Sequence, residues 1–368
     1  MSFLDEQRKP VKSSERQVKE GIYPYYGASG IIDYVDDYLF DDDLILLSED
    51  GANILDRKYR VSFISKGKVW VNNHAHVLKP QPCYSIDFLS EYLESLDYSI
   101  YNTGTTMPKL NQEVCRGIKV KAPIFAEQSK IGKMLALINE RIATQSRAID
   151  KLKSLMQGLN NDLMDNPKWS KVYVGDFMDF YSTNSLSWEQ LNYDGGQVRN
   201  LHYGLIHNGL PTLVDSQQIL LPYIQDAFFP KQYVICKEGD VAFADASEDT
   251  IEVGKAIELT NIEKLNIVCG LHTIHGRDVK NITVGGFKGF AFNSKYFHNQ
   301  LRRIAQGSKV YSINTDNVKN CYLYIPSIDE QQKIVGLLRC LQEKIQIADQ
   351  ELVKYKSQKQ FLLKGLFM

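Results

Sequence analysis

The chain contains itself twice. Pro123, Glu127, Gln128, Lys130 and Ile131 return as Pro326, Glu330, Gln331, Lys333 and Ile334, a spacing of 203 residues (326 − 123). The match reaches back through Gly104 and Gly307 and through Asn111 and Asn314. A repeat of about two hundred residues is far longer than a solenoid unit, so it predicts a duplicated domain with a helix attached. A molecule of two similar halves suits a partner that also has two halves.

After each proline an apolar ladder begins. The first carries Ile131, Leu135, Ile138, Ile142, Gln145, Ile149, Leu152, Met156, Leu159 and Leu163; the second carries Ile334, Leu338, Leu341, Ile345, Ala348, Leu352, Tyr355, Lys359, Leu362 and Leu366. Alternating steps of four and three keep one stripe toward a partner helix, which is the coiled-coil pattern. Each stripe spans roughly 57 Å at about 1.5 Å per residue, too long for most globular cores. The duplication favours an antiparallel pair with approximate two-fold symmetry. Gln145, Ala348 and Lys359 weaken the seam while fixing its register. Ser327 and Glu330 form a capping box at the second start.

Outside the ladders, short runs such as Leu44–Leu47, Val69–Val71 and Tyr322–Ile325 are broken by Gly, Asn and Asp and predict strands joined by turns. The expected fold class is mixed α/β (α+β): two globular domains separated by two long helices that form an antiparallel coiled coil. The boundaries are a first domain at 1–122, N-terminally short, a helix at 123–166, a second domain at 167–326 and a helix at 327–368. Asp165-Asn166-Pro167 ends the first helix, because proline disfavours helical geometry in the residue before it. The segment from Trp169 through Leu191 has no clear counterpart in the first half.

Composition excludes more than it assigns. A formal net charge of −1 with 24% charged residues removes any argument from global basicity. The six cysteines form no CxxC pair and occupy no equivalent positions in the two copies, so neither a duplicated zinc site nor a disulfide frame is expected. Cys269, His272, His275 and Asp278 recur every third residue, a period that suits neither helix nor strand, and no metal site is expected there. No apolar run is long enough for export or membrane spanning, which predicts a cytoplasmic protein without a membrane partner. Gly-rich nucleotide loops are missing. Asn166-Pro167-Lys168-Trp169 lacks the second proline of the amino-methyltransferase box and is taken as a linker. No catalytic residues are assigned.

Reading base edges requires side chains with paired donors and acceptors. Such residues cluster on Gly-bounded segments of both halves: Tyr25, Tyr26 and Ser29, then Asn72, Asn73 and His74, in the first; Arg199, Asn200, His202 and Tyr203, then Ser247, His272 and Thr273, in the second. Thr105 and Lys109, with their repeat counterparts Ser308 and Lys309, have the chemistry of phosphate contacts. The stretch Asp33 to Asp50 holds eight carboxylates and no base, and is expected to face away from phosphate.

Tyr23-Pro24-Tyr25-Tyr26-Gly27-Ala28-Ser29-Gly30, Ser48-Glu49-Asp50-Gly51 and Trp70-Val71-Asn72-Asn73-His74, with Val198-Arg199-Asn200-Leu201-His202-Tyr203-Gly204, Gly239-Asp240-Val241 and Gly270-Leu271-His272 in the second half, resemble the specificity (S) subunits of type I restriction-modification systems. The resemblance extends along nearly the whole chain and includes the proline, Glu-Gln and long helix after each domain. It implies two target recognition domains, each reading one half of a split double-stranded DNA site. It also implies a coiled coil that docks two methyltransferase (modification) subunits, with restriction or translocase subunits as further partners. The chain itself is then non-catalytic and holds no cofactor, S-adenosylmethionine and ATP being bound by partner subunits. B-DNA rises about 3.4 Å per pair, so the rod would separate half-sites by at most about seventeen pairs. Two other readings remain open: a coiled-coil scaffold with two protein-binding domains, and a single-chain DNA methyltransferase.

Overall fold

The computed structural model describes residues 1–249, 252–305 and 310–367. The chain divides into two compact units, Met1–Arg147 with Gln350–Met368, and Ala148–Asp349. Each unit takes part of both long helices, Phe125–Met164 and Ile328–Phe367, of 40 residues apiece. Both helices begin two positions after the repeated proline, where the fixed ring geometry gives way to helix.

Within each unit the two helices run antiparallel. In the first, the Arg141 guanidinium lies 4.5 Å from the centre of the Tyr355 ring, and Gln145 Nε2 donates to Glu351 Oε2 at 3.1 Å, so a later residue of one helix meets an earlier residue of the other. In the second, Lys153 Nζ is 3.6 Å from Asp349, while Met156, Leu159 and Leu163 join a core containing Ile334, Val335 and Leu338. Of the seam, Leu135, Ile334, Leu338, Leu341 and Ile345 are buried; Ile131, Ile138 and Ile142 are half-buried. A fully buried leucine contributes roughly 1.5–3 kcal/mol. Two seam positions behave differently from a simple ladder. Lys359 reaches a buried carboxylate, its Nζ 2.9 Å from Glu91 Oε2. Leu366 stands exposed, because Phe367 turns inward instead, its ring 5.3 Å from those of Phe88 and Tyr92.

The part of the first unit that recurs in the second consists of five strands: β1 (Glu20–Gly27), β2 (Leu44–Ser48), β3 (Ser62–Ser65), β4 (Lys68–Val71) and β5 (Ala75–Lys79). β2 lies antiparallel between β3 and β5, and β1 pairs parallel with β4. The Leu44–Leu47 run is apolar throughout because both faces of β2 are covered: Ile45 and Leu47 meet Phe88 and Leu89, whereas Leu44 and Leu46 meet Val69 and Val71. The second unit repeats this order with β6 (Arg199–Leu201), β7 (Val241–Ala244), β8 (Ala256–Thr260), β9 (Ile267–Cys269) and β10 (Thr273–Asp278). β7 lies antiparallel between β8 and β10, and β6 pairs parallel with β9. Ser2–Phe3 extends β5 at the edge where the longer Met178–Tyr181 extends β10, and the second unit adds Leu213–Asp215 alongside β8.

The repeated glutamine explains why the motif recurs. Gln128 accepts from the Ser85 amide at 3.1 Å and donates to the Pro123 carbonyl at 2.8 Å. Gln331 accepts from the Val284 amide at 2.9 Å and donates to the Ile282 and Pro326 carbonyls at 3.0 and 3.1 Å. Both are buried, so each satisfies backbone groups that would otherwise lose water without a partner. Helix and domain are thereby locked together in each unit. Among the described residues no helix is long and apolar enough to cross a membrane.

Candidate nucleic-acid interface

The parallel strands of each unit end in loops that gather on one side. In the first unit, Ser29 sits on the tight turn after β1, where Gly30 adopts a φ of 123° that a side chain would oppose. Ser48 Oγ donates to the Ala28 carbonyl, the Glu49 amide donates to the His74 carbonyl at 2.9 Å, and the Gly51 amide donates to the Pro108 carbonyl at 3.0 Å. These bonds assemble the turn after β1, the Asn72–His74 loop after β4 and the 103–109 loop around the end of β2. Asn102 Oδ1 accepts from the Gly104 and Lys109 amides and shapes that last loop. Ser29, Asn73, His74, Thr105 and Lys109 are all exposed there.

The acidic groups of this cluster have partners within it. His74 Nδ1 lies 2.9 Å from the Asp50 carboxylate, and Lys109 Nζ lies 3.5 Å from Glu49 Oε1. Glu49 and Asp50, expected to face away from phosphate, therefore stand in the loop cluster itself. Glu49 has Lys109 and Arg8 within reach, and Asp50 is hydrogen-bonded to the His74 imidazole.

The second unit forms the corresponding cluster from His202 and Tyr203 after β6, Asp245 and Ser247 after β7, and His272 after β9. The Asp245 amide donates to the His272 carbonyl at 3.1 Å, the same backbone bond that joins Glu49 to His74. His272 Nδ1 is 3.0 Å from Asp245 Oδ1. Burial raises the Asp245 carboxyl although the adjacent His272 opposes it. Trp188, His202 and Tyr203 form an aromatic ladder with centroids 4.4 and 4.8 Å apart, and His272 meets Tyr203 edge-on at 5.1 Å. Burial, with the neighbouring His272, lowers the His202 imidazole, and its Nδ1 accepts from the Gly204 amide at 3.1 Å. A neutral imidazole is what that acceptor role requires.

Several residues expected to meet DNA are instead interior. Tyr25 is buried, with its hydroxyl accepting from the Val11 amide at 2.9 Å, because β1 alternates and this position faces the core. Asn200 occupies the corresponding position of β6, buried, with Nδ2 donating to Asn184 Oδ1 at 3.0 Å. Asn72 turns its Oδ1 to the His74 amide, and Thr273 donates to the Gly270 carbonyl at 2.6 Å; both are buried. His202 is buried between its aromatic neighbours, so any contact by this group falls to Trp188 and Tyr203. Tyr26 is half-buried and stacks on Phe63 at 5.9 Å. Ser247 is half-buried and accepts from the Asp249 amide. Arg199 stands at the opposite end of β6, its ring-stacked guanidinium donating to Tyr223 and to the Ser216 carbonyl. Ser308 and Lys309 lie outside the described residues. Trp188 lies in the segment that has no counterpart in the first half, and its ring is exposed.

Residues 3–154 match the family model of the type I restriction modification DNA specificity domain. A putative type I restriction enzyme specificity subunit of Haemophilus influenzae is 25% identical over 349 residues, covering 92% of this chain and 84% of that protein. The crystal structure of a type I restriction-modification S subunit from M. genitalium superposes with a TM-score of 0.63 at 14% identity, covering 100% of this chain and 95% of that one. A structure from work on complex assembly and conformational transition of the type I restriction-modification system gives 0.53 at 13% identity, covering 100% and 96%. Residues 3–154 thus match the type I restriction modification DNA specificity domain, and along most of its length the chain is similar in sequence to a specificity subunit and in fold to S subunits.

Proposed function

We propose that the chain supplies DNA sequence specificity to a type I restriction-modification complex, each of its two domains reading one part of a split site. The observation that carries this is the repetition of one loop cluster, polar and aromatic, at the same strand ends of both units. In the first domain, 1–122, Ser29, Asn73 and His74 present donors and acceptors to base edges, with Thr105 and Lys109 placed for phosphate. In the second, 167–326, Trp188, Tyr203 and His272 form the contacting surface. Arg199 acts by holding β6 through Tyr223 rather than by touching a base.

The long helices dock two modification subunits, which bring S-adenosylmethionine and the methyl-transfer chemistry; restriction subunits bring ATP. This chain positions DNA and has no catalytic role, and it works in the cytoplasm. Mapping of methylated positions in cells carrying this chain with its modification partner is the test. Tyr203→Ala with His272→Ala is expected to relax one part of the recognised site and leave the other intact, while Asn73→Ala with His74→Ala does the reverse. Loss of information on both sides from either pair, or unchanged preference from both, rejects the assignment.

A further inference from the structure

The second unit holds a buried group of soft ligands that the recognition surface does not use. Cys236, Cys269 and His275 are 3%, 2% and 0% exposed, and the two Sγ atoms and one imidazole nitrogen all lie within 4.8 Å of one another. The two sulfurs are 3.7 Å apart. Two thiolates bound to one zinc ion at about 2.3 Å in tetrahedral geometry stand about 3.8 Å apart, so this separation needs almost no adjustment. Sequence spacing concealed the group: the cysteines are 33 positions apart, and they meet His275 through pairing of Ile235 with Val268, the Cys236 amide bond to the Ile267 carbonyl and the adjacency of β9 and β10.

A second observation points to a ligand. His275 Nε2 donates to Asp240 Oδ2 at 2.7 Å, while His275 Nδ1 is buried without a nitrogen or oxygen partner; the Cys236 sulfur is the other group that bonds this imidazole. Asp240 is itself fixed by Arg277 through Nε and Nη2 at 2.8 and 2.7 Å, and by the Lys237 amide at 2.8 Å. A carboxylate that holds one imidazole nitrogen and aims the other inward is the usual outer support of a metal-bound histidine. The first unit supplies the ordinary alternative for comparison. There His76, also on the strand beside the central one, spends both nitrogens, on Asp5 at 2.7 Å and on the Leu110 carbonyl at 2.7 Å.

We infer that Cys236, Cys269 and His275 form a binding site for a thiophilic d10 cation, zinc(II) or copper(I), with Asp240 as the outer support of His275. Thiolate and imidazole ligands select these ions over magnesium or calcium. With both thiols and the imidazole deprotonated, the ligand charge of −2 cancels a divalent cation, and Asp240 cancels Arg277. Loading therefore releases the thiol protons and any second imidazole proton to solvent. Because Cys269 ends β9 and His275 lies in β10, the ion fastens the 270–274 segment from both sides and joins the sheets to which these two strands belong. The inference concerns the interior of the unit and stands apart from the assignment of its DNA-reading loops.

The test uses the purified full chain, reduced and freed of metal, then exposed separately to zinc(II) and to copper(I) and desalted. One ion retained per chain is expected in at least one arm, and retention of copper(I) alone identifies a three-coordinate form of the same site. Cobalt(II) in place of zinc is expected to give the near-ultraviolet charge-transfer absorption of cobalt–thiolate bonds. Cys236→Ser and Cys269→Ser should abolish retention, Cys83→Ser and Cys340→Ser, at exposed positions, should not, and Asp240→Asn should weaken affinity about 10–100-fold. Failure of the wild-type chain to retain either ion overturns the site whatever the variants do, as does retention that survives Cys236→Ser.

Discussion

The same strand carries a buried histidine in each unit, and the two histidines are supported differently. His76 of β5 has two acceptors, a carboxylate and a carbonyl, and both nitrogens must carry hydrogen to satisfy them. Burial pushes this imidazole down, yet the Asp5 hydrogen bond and the further contacts outweigh it and raise it to about 10. His275 of β10 has one acceptor, Asp240, and is raised to about 9 against burial. Its Nδ1 is left without a nitrogen or oxygen partner. The difference teaches that a repeated scaffold fixes which strand is buried but not which face of it carries the histidine: His76 lies two residues past His74 and His275 three past His272, so they point to opposite faces. In the first unit the pair is a closed structural ion pair; in the second it leaves one ligand position open.

The most severe way to break this comparison is to remove the carboxylates. Asp240→Ala strands His275 and Arg277 in the interior and is expected to cost about 3–5 kcal/mol. Asp5→Ala should cost less, because Glu49 Oε2 already lies 2.6 Å from Arg8 Nη1 and 3.7 Å from His76 Nδ1 and can take over part of the role. Denaturant unfolding followed by hydrogen exchange in each unit would rank the two. An equal loss would mean that Glu49 gives no relief.

The glutamine clamps sharpen it further. Gln128→Leu and Gln331→Leu each leave a backbone amide and at least one carbonyl without their partner, and about 1–3 kcal/mol is expected from each. Gln331 serves two carbonyls against one for Gln128, so the second unit should lose more. Thermal unfolding of the two single variants measures that asymmetry directly.

Acid should separate the units as well. Burial lowers His298 of the second unit to about 4, the Arg302 and Lys255 charges adding to this and Glu252 opposing it. Its folded value lies below the unfolded one, near 6.5. The unfolded chain therefore takes the proton first, and the stability that neutral His298 contributes is present above about pH 6.5 and lost as pH falls toward 4. His76 has the opposite sign: its contribution is full below about pH 6.5 and disappears as pH rises through about 10. Hydrogen exchange at pH 7 and pH 5, corrected for intrinsic rates, should show weakening in the second unit that His298→Gln removes. The expected change is moderate, since pH 5 reaches only part of that window.

The smallest effect should come from Tyr25→Phe. It removes one hydroxyl that accepts from the Val11 amide while keeping the ring in its core, so about 0.5–1.5 kcal/mol of stability is expected. DNA specificity should not change. A shift in the methylation motif from this variant would return Tyr25 to the reading surface, from which its burial removes it.

By itself the sequence determined the duplication, the two long helices with their seams, and the positions of the strand-forming runs. These are local and periodic properties: a heptad stripe or an apolar run between turn residues specifies its element before any tertiary contact exists. It also determined that Ser29, Asn73, His74 and His272 would fall on loops, because Gly and Asn there mark chain reversals. What only the tertiary structure decided is which side of a strand faces inward and which distant residues meet. Tyr25 and Asn200 read as polar candidates, and the pairing of β1 with β4 and of β6 with β9 turned them into the core. Cys236 met Cys269 and His275, and Gln128 met Ser85, through strand and helix packing across tens of residues. A one-residue change of register would reverse every such assignment. That register is set by the burial of the whole face and not by any residue on it.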